Sequence, residues 1–207
     1  TFEVISLAYP GFSTLHQVDD LERLGMHLDP DLIILGYFMN DAEGPDSRKG
    51  FETLFYGHFV LPYEAGKILY SYSYMYYFLE SRMKNLLAHL GFGKTQLDYA
   101  RHLYSESNPF FTQQSEYISK FIAIPHAQDI PVVVVLFPVL TDFKEYPYGF
   151  VNTYVENITL LNGGYYLDLL PSLADHTAEE LAVSFMDPHL NAVGQKIAAT
   201  ATFAYLQ

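Results

Sequence analysis

Residues 130–138, IPVVVVLFP, constrain the fold of this chain more than any other stretch. An unbroken Val/Leu run without polar alternation has both faces buried, which is the pattern of a central strand in a parallel sheet. Its β-branched side chains are stiff at χ1 and favour the extended chain. A parallel neighbour can be reached only through a long crossover, usually a helix, and the flanking sequence supplies such crossovers. A helix is predicted over residues 113–127, and another over 148–161. After that, GGYYLDLLP at 163–171 reads as a further strand.

The N-terminal half repeats the alternation. FEVISLAY, residues 2–9, reads as a strand closed by Pro10 and Gly11. In the next segment Leu15, Val18, Leu21 and Leu24 recur at three-residue spacing, followed by Leu28, as on an amphipathic helix. Asp29-Pro30-Asp31 breaks it, and Leu32 to Gly36 form the next strand. At the other end, Val193, Ile197, Ala201 and Ala204 fall on one stripe of a closing helix. Strand and helix in alternation predict an α/β fold: a parallel, flavodoxin-like sheet between helices on both faces, a three-layer α/β/α sandwich. Ligands of such sheets bind outside the carboxyl ends of the strands. The segments to watch are therefore Pro10 to Thr14, Tyr37 to Asp41, Pro138 to Asp142 and the loop before the last helix.

A length of 207 residues suits one domain. The net charge of −13 leaves no basic patch for phosphate contact, so nucleic acid is not an expected partner. Absence of cysteine excludes disulfides, thiolate zinc sites and cysteine nucleophiles. No apolar run of about 18 residues predicts a transmembrane segment. The compartment stays open.

Residues 51–112 depart from simple alternation. They are dense in aromatics, including SYSYMYYFL at 71–79. Ile68, Met75, Leu79, Met83, Leu86 and Leu90 keep helical spacing, which predicts a helix over 66–90 within an insertion. Two readings are open: the aromatics pack the insertion onto the body, or they form a lid over the site.

Three places could carry chemistry. Gly11 at a strand exit lets a backbone N–H approach a ligand closely. Asn40, at the exit of DPDLIILGYFMND, can offer its amide to a developing negative charge. Ordinary turn formation also explains both, since PG and ND are turn dipeptides. His189 precedes the last helix, with Asn191 as its expected N-cap. Asp187 lies two residues upstream, placed to fix the tautomer of a basic His189. Asp41 is expected to hydrogen-bond nearby backbone and so support Asn40. Ser13 or Thr14 reads as a helix cap, and Ser105 and Ser107 have no elbow around them. Asp31, Asp41 and Asp168 do not make a receiver-type pocket, because no lysine follows in PVLTDF. GFGKT at 91–95 follows a helix and lacks the glycine a phosphate loop needs at Ala88. Asn157-Ile158-Thr159 is a formal sequon, meaningful only in a eukaryotic secretory setting. The remaining histidines show no metal-ligand spacing, and neither a metal nor a cofactor is expected.

Taken together, PGFST, PDLIILGYFMND and DPHLNAVGQKIA, in that order and spacing, resemble the SGNH or GDSL hydrolase family, in its bacterial esterase and lipase branch. VVVVLFPVLTDFKEYPY and YYLDLLPSL resemble its fourth and fifth strands. The resemblance spans nearly the whole chain. It implies a serine esterase acting on a small-molecule or carbohydrate acyl ester, with His189 as general base and Gly11 and Asn40 as oxyanion donors. An O-acyltransferase or a non-catalytic binding domain on the same fold are the alternatives. Two departures stand out. The family's acid lies three residues before its histidine, where this chain has Met186, so Asp187 is one place off. The family's first block, a strand ending in Gly-Asp-Ser, is absent, and no nucleophile is assigned within the chain. Counting that block as strand 1, the insertion falls between strands 3 and 4. The block supplies the strand between the first two strands seen here. Without it two strand edges would be left unpaired, so the expectation is an N-terminally incomplete domain with its serine upstream of Thr1.

Overall fold

In a computed structural model, residues 3–44, 61, 63–91, 95–184 and 187–207 are described. The Val/Leu run forms β2 (Val132–Leu136), and all five side chains are buried. It is the middle strand of a parallel sheet ordered β1–β2–β3, flanked by β1 (Ile33–Tyr37) and β3 (Tyr165–Asp168). Ile33 faces Val132 across one pairing, and Val133 faces Tyr165 across the other.

Alternate residues of β2 feed two cores, as the two-residue period of a strand requires. Val132, Val134 and Leu136 join Leu35 and Tyr37 on one face. Helix α1 (Thr14–Arg23) adds Val18 and Leu21 to that core. Further helices that contribute are α4 (Gln96–Leu103), α5 (Phe111–His126) and α6 (Gly149–Leu161), through Leu103, Ile118 and Val155. On the other face Val133 and Val135 pack with Leu169, Leu173, Leu181 and Ala198. These come from the segment after β3, which includes the short helices α7 (Leu170–Leu173) and α8 (Ala178–Leu181), and from the closing helix α9 (Ala192–Tyr205). Between α8 and α9 an antiparallel hairpin pairs β4 (Ala182–Ser184) with β5 (Asp187–Leu190). The chain is thus a mixed α/β fold with helical packing on both faces of a parallel sheet.

Three local expectations are corrected. The strand predicted over residues 2–9 is not formed: residues 3–9 run as irregular chain, and Val4 is 89 % exposed. An apolar run becomes a strand only against a partner edge, and no described strand pairs with it. Among the described residues β1 and β3 each keep an unpaired outer edge. Ile33 donates to Pro131 O, and Tyr37 O accepts from Phe137, so the backbone groups of Ile34 and Gly36 turn away from β2. Second, the helix predicted over 66–90 is two helices, α2 (Tyr63–Tyr72) and α3 (Tyr74–His89). Ser73 makes the break: its Oγ accepts the Tyr76 N–H at 3.2 Å, an N-cap bond that restarts the helix. Third, the segment read as a loop before the last helix is the β4–β5 hairpin. Residues 51–60 and Met186 lie outside the described residues.

Candidate functional site

The first half of the site is built at the exit of β1. Tyr9-Pro10-Gly11-Phe12 is a turn closed by Phe12 N–H donating to Tyr9 O at 3.3 Å. Gly11 sits at φ +79°, the left-handed region a type II turn demands at its third residue. Its N–H has no hydrogen-bond partner among the described residues. Ser13 then starts α1. It is buried, and its Oγ lies 3.1 Å from His16 Nδ1. Next to it Thr14 Oγ1 donates to Asp41 O at 3.1 Å. That bond crosses between two sequence-distant loops and ties the glycine turn to the Asn40 loop.

Past β1 the chain makes one 3-10 turn, Met39–Ala42. Asn40 points into solvent, and its side chain has no partner among the described residues. Its neighbours are held at several points. Asp41 Oδ2 accepts the Phe38 N–H at 2.9 Å. Tyr104 OH donates to Met39 O at 3.0 Å, and Tyr99 OH donates to Glu43 Oε1 at 2.7 Å. Behind this lies a buried relay. Gln114 Nε2 donates to Tyr37 OH at 2.6 Å, and the Tyr37 and Tyr104 hydroxyls are 2.9 Å apart. Because Tyr104 spends its proton on Met39 O, Tyr37 donates to Tyr104. Burial pushes both hydroxyls far above the ordinary tyrosine range, so the relay stays neutral. Burial also raises the Asp41 carboxyl to about 7, against the lowering effect of the Phe38 N–H and Gln17.

The relay was not readable from the sequence. Period two along β1 puts Tyr37 on the buried face with Leu35, and a buried tyrosine needs a hydroxyl partner. That much was available, but the partners sit 67 and 77 residues away. Removing the Tyr37 hydroxyl strands the amide of Gln114, whose Oε1 already lacks a partner among the described residues. Tyr37→Phe is therefore expected to cost about 1–3 kcal/mol in urea unfolding. An unchanged midpoint would show that the relay adds no net stability.

The second half is the β4–β5 hairpin. Asp187 N–H donates to Ser184 Oγ at 3.1 Å. Asp187 Oδ1 then accepts both the His189 backbone N–H at 3.1 Å and His189 Nδ1 at 2.5 Å. The hydrogen bond from His189 holds the Asp187 carboxyl below its ordinary range. With the proton on Nδ1, the acceptor lone pair is on Nε2, and the ring is 87 % exposed. Asn191 anchors the hairpin. Its Oδ1 accepts from Val193 and Gly194, capping α9, while its Nδ2 donates to Glu180 O and Ala182 O.

The structure thus joins Gly11 to Asn40–Asp41 through Thr14, and joins Asp187 to His189. No hydrogen bond or ion pair among the described residues links these two halves. Asp168 is occupied structurally, accepting from Asn152 Nδ2 at 2.7 Å and from Leu170 N–H at 2.8 Å. An open apolar groove of about 350 Å³, between Phe137 and α9, is lined by none of the candidate residues and holds no titratable group. No protein-family model, curated protein or solved structure matches this chain.

Proposed function

We propose that these residues belong to an ester hydrolase of the SGNH type, on a flavodoxin-like α/β/α fold. His189 is the general base, oriented by Asp187, and Gly11 N–H and the Asn40 amide receive the oxyanion. The observation that carries this reading is the Asp187–His189 pair. One carboxylate oxygen binds Nδ1 and the backbone N–H of the same histidine, which leaves Nε2 outward as a proton acceptor. The unengaged donors at Gly11 and Asn40 support it, since an oxyanion needs donors that no protein acceptor has already taken.

The mechanism asks for a serine. Ser13 does not suit the role, being buried and turned onto His16. Ser184 Oγ is engaged by the Asp187 backbone N–H. The reading takes the attacking serine from outside residues 1–207. His189 Nε2 would accept its proton as Oγ attacks the ester carbonyl, and the negative oxygen would form against Gly11 and Asn40. The imidazolium would then give that proton to the departing alkoxide as the ester C–O bond breaks, leaving an acyl-serine. The freed base would next take a proton from water, or from the hydroxyl of a sugar acceptor if the reaction is acyl transfer, and pass it to the serine oxygen as the acyl group leaves.

The 207-residue chain by itself is expected to show negligible turnover of a p-nitrophenyl acetate probe. A form carrying the serine should turn the probe over and be labelled stoichiometrically by a fluorophosphonate. Robust hydrolysis by residues 1–207 alone would refute the division of the site. A serine-bearing form that resists the phosphonate would refute the serine mechanism and favour a binding domain.

A further inference from the structure

Helices α2 and α3 form a hairpin that is built inside out. Met75, Leu79, Met83 and Leu86 lie along one stripe of α3, and Leu90 continues it just beyond. Every one of them is between 46 % and 68 % exposed, and Phe78 beside them is half exposed. Spacing of this kind, with residues four, four and three apart, is the stripe by which a helix faces its core. Here it faces solvent, while Glu80 of the same helix is buried at 7 % exposure. Ile68 and Leu69 on α2 are exposed as well. Helix α4, a few residues later in the same insertion, shows the opposite and ordinary arrangement, with Tyr99, Ala100 and Leu103 buried in the main core. The inversion is therefore confined to the hairpin.

Charge marks off the same segment. Residues 63–91 hold three of the chain's eleven basic residues, Lys67, Arg82 and Lys84, but only two of its 24 acidic ones, Glu64 and Glu80. The segment is net +1 in a chain of net −13. Aromatic residues gather there too. Tyr72 and Tyr74 flank the Ser73 break and are 88 % and 90 % exposed. Tyrosine, with an apolar ring and a polar tip, favours the boundary between hydrocarbon and water.

We propose that the α2–α3 hairpin docks on an anionic lipid surface, laying the Met75–Leu90 stripe into the interface. An apolar stripe, basic residues and exposed tyrosines are together the composition of a helix that lies in the interface plane. The hairpin lies on the bilayer and does not cross it: no helix among the described residues is long and apolar enough. Anionic headgroups attract the basic hairpin and repel the acidic remainder of the chain, so contact is limited to the hairpin. A second copy fits less well. Stripe against stripe would set two net-positive segments together.

The test is flotation of the 207-residue chain with two kinds of vesicle, phosphatidylcholine alone and phosphatidylcholine with 30 % phosphatidylserine. Binding to the phosphatidylserine vesicles should be at least tenfold stronger and should weaken with added salt. Leu79→Glu with Leu86→Glu should cut it at least tenfold while leaving the circular dichroism spectrum unchanged, because both side chains are already in water. Leu160→Glu with Leu161→Glu, exposed on α6, should leave it intact. Three results would overturn the proposal: no preference for phosphatidylserine, binding that survives the α3 pair, or a dimer dispersed by the α3 pair without vesicle binding. The last would assign the stripe to a second copy of the chain.

Discussion

His189→Ala should lower kcat/KM for ester hydrolysis by about 10³–10⁴-fold in a form of the protein that turns esters over. General-base catalysis contributes on this scale, and at 1.36 kcal/mol per decade the loss is about 4–5.5 kcal/mol of transition-state stabilisation. The side chain is 87 % exposed, and its one side-chain partner among the described residues is Asp187. Its removal therefore opens no cavity, and the melting temperature should not change. A loss of activity at constant stability separates a chemical role from a structural one. Asp187→Ala should cost less than His189→Ala, because Asp187 is half exposed and water can take its place at Nδ1. Since His189 holds the Asp187 carboxyl below its ordinary range, Asp187 stays ionised across the pH range of any ester assay. Full activity in His189→Ala would refute the assignment of the base.

How far the fold could be read follows from how local its causes are. The Val132–Leu136 run announces its own burial because both faces of a central strand meet apolar neighbours. The capping of α9 by Asn191 is a bond between residues two and three apart, and it was legible for that reason. Residues 2–9 have the composition of a strand, but composition cannot report whether an edge is there to receive it. The Ser73 break was hidden because serine fits a helical pattern equally well until its hydroxyl takes the Tyr76 N–H. The β4–β5 hairpin is too short to show alternation. Within the candidate site, the Asp187–His189 spacing was readable as a pair and Asn40 as a strand-exit residue, whereas Gly11 follows irregular chain and owes its place to the Tyr9–Phe12 turn. What holds the Asn40 loop was not. Tyr99, Tyr104 and Gln114 reach it across 56 to 77 residues, and nothing in their local sequence points there.

Asp41→Asn should make the protein more stable at pH 8 and leave it about equally stable at pH 4. Burial raises the Asp41 carboxyl from 3.8 to about 7. An unfolded chain loses this proton near pH 4, whereas the folded protein keeps it to about pH 7. Between those values the folded state binds more protons, so stability falls as pH rises through the window. The total is on the order of 4 kcal/mol at 1.36 kcal/mol per unit, and it is complete above pH 7. Asparagine cannot ionise, and its Oδ1 can still accept the Phe38 N–H. Its Nδ2 would meet Gln17, whose buried Oε1 has no partner among the described residues and can turn to accept it. The variant should thus hold a nearly flat advantage above pH 7, visible as a melting temperature higher by about 8–15 °C at pH 8. The difference between variant and wild type, measured from pH 4 to 8, removes the contribution of the other titrating groups. A difference independent of pH would refute the buried, neutral Asp41. The same substitution bears on the oxyanion site. A carboxylate at position 41 would set a negative charge beside Asn40, opposing the charge that Asn40 is proposed to receive. Ester turnover by Asp41→Asn at pH 8 should accordingly equal or exceed that of the wild type. A loss of turnover with the fold intact would mean that the Asp41 carboxylate itself takes part in aiming Asn40.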